Sequence, residues 1–185
     1  MTISIKEMLS GIFHTSIEGA HPIVAGFAAD PKSIKPKGVA SDPAKWADWR
    51  PYAVIDGEQP DCLMATNNIY FGLSSVRPDS SGRIKASQKL VAALHAVMVD
   101  DLGSGSGSKG SLDGLKLSPS WVLETSPDNY QAGYILQQPE KNTRVAAALV
   151  EGVAPAVGGD PGATNRVRWT RGVEGVNSKA RVVEE

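Results

Sequence analysis

A single cysteine, Cys62, stands among 185 residues, so the chain carries no intrachain disulfide framework and no cysteine-based zinc site. Long apolar runs are also missing: nothing approaches the roughly 20 residues that cross a bilayer, and the N-terminus lacks a basic-then-apolar signal pattern. A cytoplasmic protein with no membrane partner is the expectation. Excess charge of one sign is absent too. With 19 Lys and Arg against 20 Asp and Glu, a net charge of -1 and a pI near 6.3, the chain lacks the positive field of a strongly basic duplex binder. His14, His21 and His95 show no metal-ligand spacing, and His95, inside an apolar run, reads as a core or strand residue. The glycine-rich stretch 103–110 lacks the Gly-Lys-Ser/Thr ending of a P-loop. It reads instead as a flexible loop, placed as a lid over whatever the preceding acids do.

What is present suffices for one globular domain with a real core, 41% of the residues being hydrophobic and 21% charged. Apolar residues at helical spacing from Ile3 to Phe13 predict a short amphipathic helix. Prolines 31, 36 and 43 with several lysines make 30–49 an irregular wrapping segment, anchored by Trp46 and Trp49. Asn67 to Ser75 reads as a β-run, Ala86 to Leu94 as a helix and His95 to Val99 as a buried strand. Trp121–Glu124 and Tyr130–Leu136 read as a hairpin turning through Ser126-Pro-Asp-Asn129. Arg144 to Glu151 reads as a helix capped by Asn142 or Thr143. Strands and helices without strict alternation favour α+β over a doubly wound sheet.

Three segments carry chemistry. Val97-Met-Val-Asp-Asp-Leu-Gly103 ends an apolar run on two acids. Adjacent strand residues face opposite ways, so both can serve one site only at a strand end or a bulge; the bland alternative is a turn pair before a glycine loop. Trp121-Val-Leu-Glu-Thr-Ser-Pro-Asp-Asn-Tyr-Gln131 puts Ser126 and Gln131 around a tight turn, and a plain hairpin would use the same residues to satisfy its backbone. Asp160-Pro-Gly, Asn165-Arg166 and Arg171-x-x-x-Gly-x-Asn177-x-Lys179 gather cations near the C-terminus. Carboxylates from separate strand ends can hold divalent metals, and Arg and Lys can hold phosphates.

From about Asn67 to Lys179 the order of these segments resembles the primase domains of phage and plasmid replication proteins, in the archaeo-eukaryotic primase superfamily. The acids of that superfamily usually stand one residue apart, whereas here Leu102 is two after Asp100; Asp-Asp-Leu-Gly is similar to the form in a phage subgroup. Gln131 stands where the family has a phosphate-binding His, and Gly172-Val173 where it commonly has Leu-Pro. The resemblance implies an α+β fold with a mixed or antiparallel sheet, flanking helices and an RRM-like catalytic core. It implies one domain over 1–185, with 1–60 as an accessory wrapping region and 61–180 as the core, or a fragment of a longer primase-helicase. The implied activity is synthesis of short primers on single-stranded DNA from nucleoside triphosphates by two-metal nucleotidyl transfer, with a replicative helicase in cis or in trans. Asp100, Asp101 and Asp160 would hold Mg²⁺ or Mn²⁺. Ser126, Gln131, Arg166, Arg171, Asn177 and Lys179 would contact nucleotide or template. Two rival readings stay open: a nucleic-acid-binding relic of the fold that has lost synthesis, and an unrelated binding or structural domain.

Overall fold

The computed structural model describes residues 3–28, 51–54, 67–157 and 166–177. The first helix, α1 (Ile5–Ile12), begins with a reciprocal cap: Ser4 Oγ accepts from the Glu7 amide at 3.2 Å and Glu7 Oε2 accepts from the Ser4 amide at 2.8 Å. Its buried stripe of Ile5, Met8, Leu9 and Ile12 joins Val24, Ile69, Phe71 and Leu94 in the main apolar cluster. At the far side, the Ile5 amide donates to Glu174 Oε2 at 2.8 Å, which ties the helix start to the C-terminal segment.

Eight strands follow among the described residues: β1 (Ile23–Phe27), β2 (Tyr52–Ala53), β3 (Asn68–Gly72), β4 (Ser74–Val76), β5 (Val91–Gly103), β6 (Trp121–Ser126), β7 (Asn129–Glu140) and β8 (Trp169–Arg171). They form two four-stranded sheets, ordered β2-β1-β3-β8 and β4-β5-β7-β6, and every strand pairing in them is antiparallel. The fold is therefore α+β. The β-run expected over 67–75 splits at Leu73, where the chain leaves the first sheet and enters the second. β1, from the region expected to wrap the core, lies inside the first sheet between β2 and β3. Trp121 and Phe71 meet edge-on across the two sheets, ring centroids 6.3 Å apart.

The helix expected over 86–94 is corrected by the structure. Gln88–Leu90 makes a single 3-10 turn and β5 starts at Val91. Residues 91–99 are nearly all buried, flanked by β4 and β7, and a strand buried on both faces shows no alternation to distinguish it from a buried helix. The expected strand at His95–Val99 is the middle of this long strand. The helix expected over 144–151 runs further, as α2 (Thr143–Val157). Asn142 Oδ1 caps it, accepting from the amides of Arg144 and Val145 at 3.0 and 3.3 Å. α2 buries Ala154 and Val157 with Val99, Leu102 and Ala132, covering one face of the second sheet. Trp46, Trp49 and the rest of 29–50 lie outside the described residues.

Candidate active site

β5 carries a one-residue bulge at the two acids. Val99 pairs with Ala132 and Leu102 with Tyr130, so three steps along β5 match two along β7. In a regular strand residues three apart face opposite ways. Here Val99 and Leu102 are both buried in the cluster beneath α2. The extra residue thus leaves Asp100 and Asp101 together off the core face, meeting the condition that the sequence set for two adjacent acids to serve one site. Asp101 takes φ 55, a left-handed conformation that Asp tolerates better than most residues. Its amide donates to Asp100 Oδ1 at 2.9 Å.

β7 and β8 complete the surroundings. Gln131, 5% exposed, donates from Nε2 to Asp100 Oδ1 at 3.1 Å and accepts the Arg171 amide on Oε1 at 3.2 Å. One amide therefore links β5, β7 and β8 across the two sheets. Arg168, just before β8, donates from Nη2 to Asp100 Oδ2 at 2.7 Å. Lys109 Nζ stands 3.3 Å from Asp101 Oδ2. Both acids are thus engaged by cations of the chain itself, two residues that the sequence reading did not assign to the site. Arg168 lies in the basic C-terminal run Arg166-Val-Arg168-Trp-Thr-Arg171, but its partner is 68 positions away and only the fold joins them.

The glycine-rich loop after β5 is fastened to the hairpin rather than hanging free. The amides of Ser104 and Gly105 both donate to Asp128 O, and those of Lys109 and Gly110 to Asp101 O. A Cβ on Gly103 would fall 2.2 Å from Asp128 O, and one on Gly105 2.3 Å from Pro127 O, so these two glycines permit the close approach. Ser126 pairs with Asn129 at the hairpin tip, beside this loop.

The C-terminal signature has a structural explanation as far as Asn177. Arg171, 8% exposed, donates from Nη2 to Asn177 Oδ1 at 2.9 Å and from Nη1 to Asn68 Oδ1 at 3.5 Å, and its guanidinium lies 5.0 Å from the Tyr70 ring centre. Asn177 Nδ2 donates to Thr125 O, clasping the segment to the hairpin. A Cβ on Gly175 would stand 3.0 Å from Asn67 O. Arg166 donates to Gln88 Oε1 at 3.4 Å, and its backbone oxygen accepts from Ser74 Oγ at 2.8 Å. The structure brings Asp100, Asp101, Gln131, Arg171 and Asn177 to one junction of the two sheets. Asp160 and Lys179 lie outside the described residues.

Carboxylate oxygens are the donors that Mg²⁺ and Mn²⁺ prefer, so the Asp100–Asp101 pair fits such an ion in donor chemistry. Among the described residues no group of three acidic, His or Cys side chains comes together to hold one. The pair accounts for at most two protein ligands.

Residues 74–179 match the family model of the RepB DNA-primase N-terminal domain, more than half of the chain, with Asp100, Asp101, Gln131, Arg171 and Asn177 inside the match. The chain belongs to that family. Among solved structures, this RepB-type primase domain is similar to the AEP domain of the primase-polymerase of cyanophage S-2L. The TM-score is 0.59 at 15% sequence identity, over 90% of this chain and 78% of that one. At that identity the likeness is one of fold. No curated protein sequence matches the chain.

Proposed function

We propose that this RepB-type primase domain synthesises short primers on single-stranded DNA from nucleoside triphosphates, at the junction between β5, β7 and β8. The observation that carries the reading is the bulge in β5, which turns two adjacent acids off the core face beside the Arg168 guanidinium. In this reading Asp100 and Asp101, with Asp160 as the third acid, hold two divalent ions, Mg²⁺ or Mn²⁺. Bound there, the ions would lower the pKa of the attacking 3′-hydroxyl and neutralise charge on the leaving pyrophosphate.

The chain's own residues do the remaining tasks. Gln131 fixes the rotamer of Asp100 and, through the Arg171 amide, the distance between the sheets. Arg171 and Asn177 hold the hairpin against β8, so that Ser126 stands ready to donate to a phosphate oxygen from the hairpin tip. Arg166, Arg168 and Lys179 supply positive charge for the triphosphate or template, where a guanidinium can bind phosphate through two donors at once. The expected partners are single-stranded DNA, nucleoside triphosphates and a replicative helicase in cis or in trans.

A second reading, a nucleic-acid-binding domain without synthesis, is favoured by one observation: both acids already have cationic partners. Incubation with a single-stranded template, labelled nucleotides and Mn²⁺ separates the two. Short labelled products that disappear in Asp100→Ala support synthesis; a gel shift of the template with no product supports the binding reading.

A further inference from the structure

Asp100 has no unclaimed oxygen. Oδ2 receives Arg168 at 2.7 Å, and Oδ1 receives both the Gln131 amide and the Asp101 N–H. Asp101 is paired in turn through Oδ2 with Lys109 Nζ at 3.3 Å, and the Lys109 amide donates to the Asp101 carbonyl. An ion entering this junction therefore meets two carboxylates whose charge is already matched. The two cations differ in how firmly they are held. Lys109 is exposed, and an exposed lysine ion pair is weak. Arg168 is partly buried and makes the shorter contact.

We propose that Arg168 is a displaceable counter-cation: it occupies Asp100 when no nucleotide is bound, and swings onto the triphosphate when nucleotide and metal arrive together. The inference rests on the functional reading above and adds a coupling to it. Metal alone must expel a guanidinium into water, so metal binding without nucleotide is weak. A triphosphate offers that guanidinium a better partner, with more charge and fork-matched oxygens. Each ligand then favours the other by the same factor. Arg168 thus acts on the metal through Asp100 and on the triphosphate directly.

The test measures two affinities on the whole chain: Mn²⁺ alone, from the free-ion electron paramagnetic resonance signal, and a fluorescent non-hydrolysable nucleoside triphosphate in the presence of Mn²⁺. Arg168→Gln is expected to bind Mn²⁺ alone roughly tenfold more tightly than the unaltered chain, because the competing charge has gone. It is expected to bind the triphosphate roughly tenfold more weakly. The opposite directions are the signature, since damage to the fold would lower both. Arg168→Lys, which retains the charge but loses the fork, should fall between on Mn²⁺ and stay weak on the triphosphate; circular dichroism checks that each variant is folded. Mn²⁺ affinity that is unchanged or reduced in folded Arg168→Gln overturns the proposal. Asp100→Asn separates the two levels. If it weakens Mn²⁺ binding while Arg168→Gln has no effect, displacement alone is wrong; if it leaves Mn²⁺ binding untouched, the metal site itself is wrong and displacement falls with it.

Discussion

Gly133 shows how finely single residues set this junction. A Cβ there would lie 1.9 Å from the Trp121 ring, and that ring packs on Phe71 of the other sheet. Gly133→Ala should therefore destabilise by about 1–3 kcal/mol, read as a shift in the urea midpoint without a change in slope. Asp101 offers the converse case. Glycine accepts φ 55 without strain, so Asp101→Gly should keep stability within about 1 kcal/mol while removing one carboxylate; thermal melts should overlay where Mn²⁺ binding weakens. His95 makes a third residue-scale prediction. It is 2% exposed, with Nε2 3.0 Å from Ser75 Oγ and its ring 4.6 Å from that of Phe13. Burial, with a contribution from His14, pushes its pKa down to about 4. Between the ordinary histidine value near 6.5 and about 4, the unfolded chain binds more protons than the folded one. The contribution of His95 to stability should hold above that window, decline by up to about 3 kcal/mol as pH falls through it, and level off below. Urea titrations at pH 7, 5.5 and 4 check this, and His95→Gln should flatten the slope. The reading of His95 as a core residue came from its apolar neighbours alone and agrees with the structure. The partners of Asp100 could not be read the same way, because the Arg168 and Gln131 contacts join positions 68 and 31 apart in sequence.

At the scale of elements, local signals were legible where a turn or cap has its own chemistry. The hairpin follows from Pro127, whose ring presets its φ, and from Asp128, which takes φ 54; the α2 cap follows from Asn142, whose Oδ1 accepts from nearby amides. Asn142→Ala should lower stability by about 1 kcal/mol, measured by denaturant titration, and Ser4→Ala should act similarly on α1. The expected helix over 86–94 failed because β5 is apolar on both faces and has no period to read. The bulge was legible only as a condition: two adjacent acids demand an irregular strand, but no residue type marks the irregularity, since Asp101 occupies the left-handed position where glycine would have advertised it. The glycine-rich loop was legible as a loop and not as a tethered one. Its fastening depends on Asp128 O, which belongs to the hairpin.

For the whole molecule, α1, both sheets and α2 contribute to one main apolar cluster, and we propose that the chain unfolds as a single cooperative unit. Phe71 stands at its centre, fully buried. Phe71→Ala should destabilise by about 3–5 kcal/mol and shift far-ultraviolet circular dichroism and tryptophan fluorescence together; transitions that separate would show two units. The α+β class could be read from the order of strands and helices, whereas the division into two sheets depended on the single step at Leu73. The central claim, that nucleotidyl transfer occurs at the acids of the β5 bulge, is tested most directly by single-turnover addition of one labelled nucleotide to a primer annealed on a single-stranded template, with Mn²⁺. The account predicts transfer by the unaltered chain and a rate lowered by about 10²-fold or more in Asp100→Asn. An unchanged rate in that folded variant would contradict it.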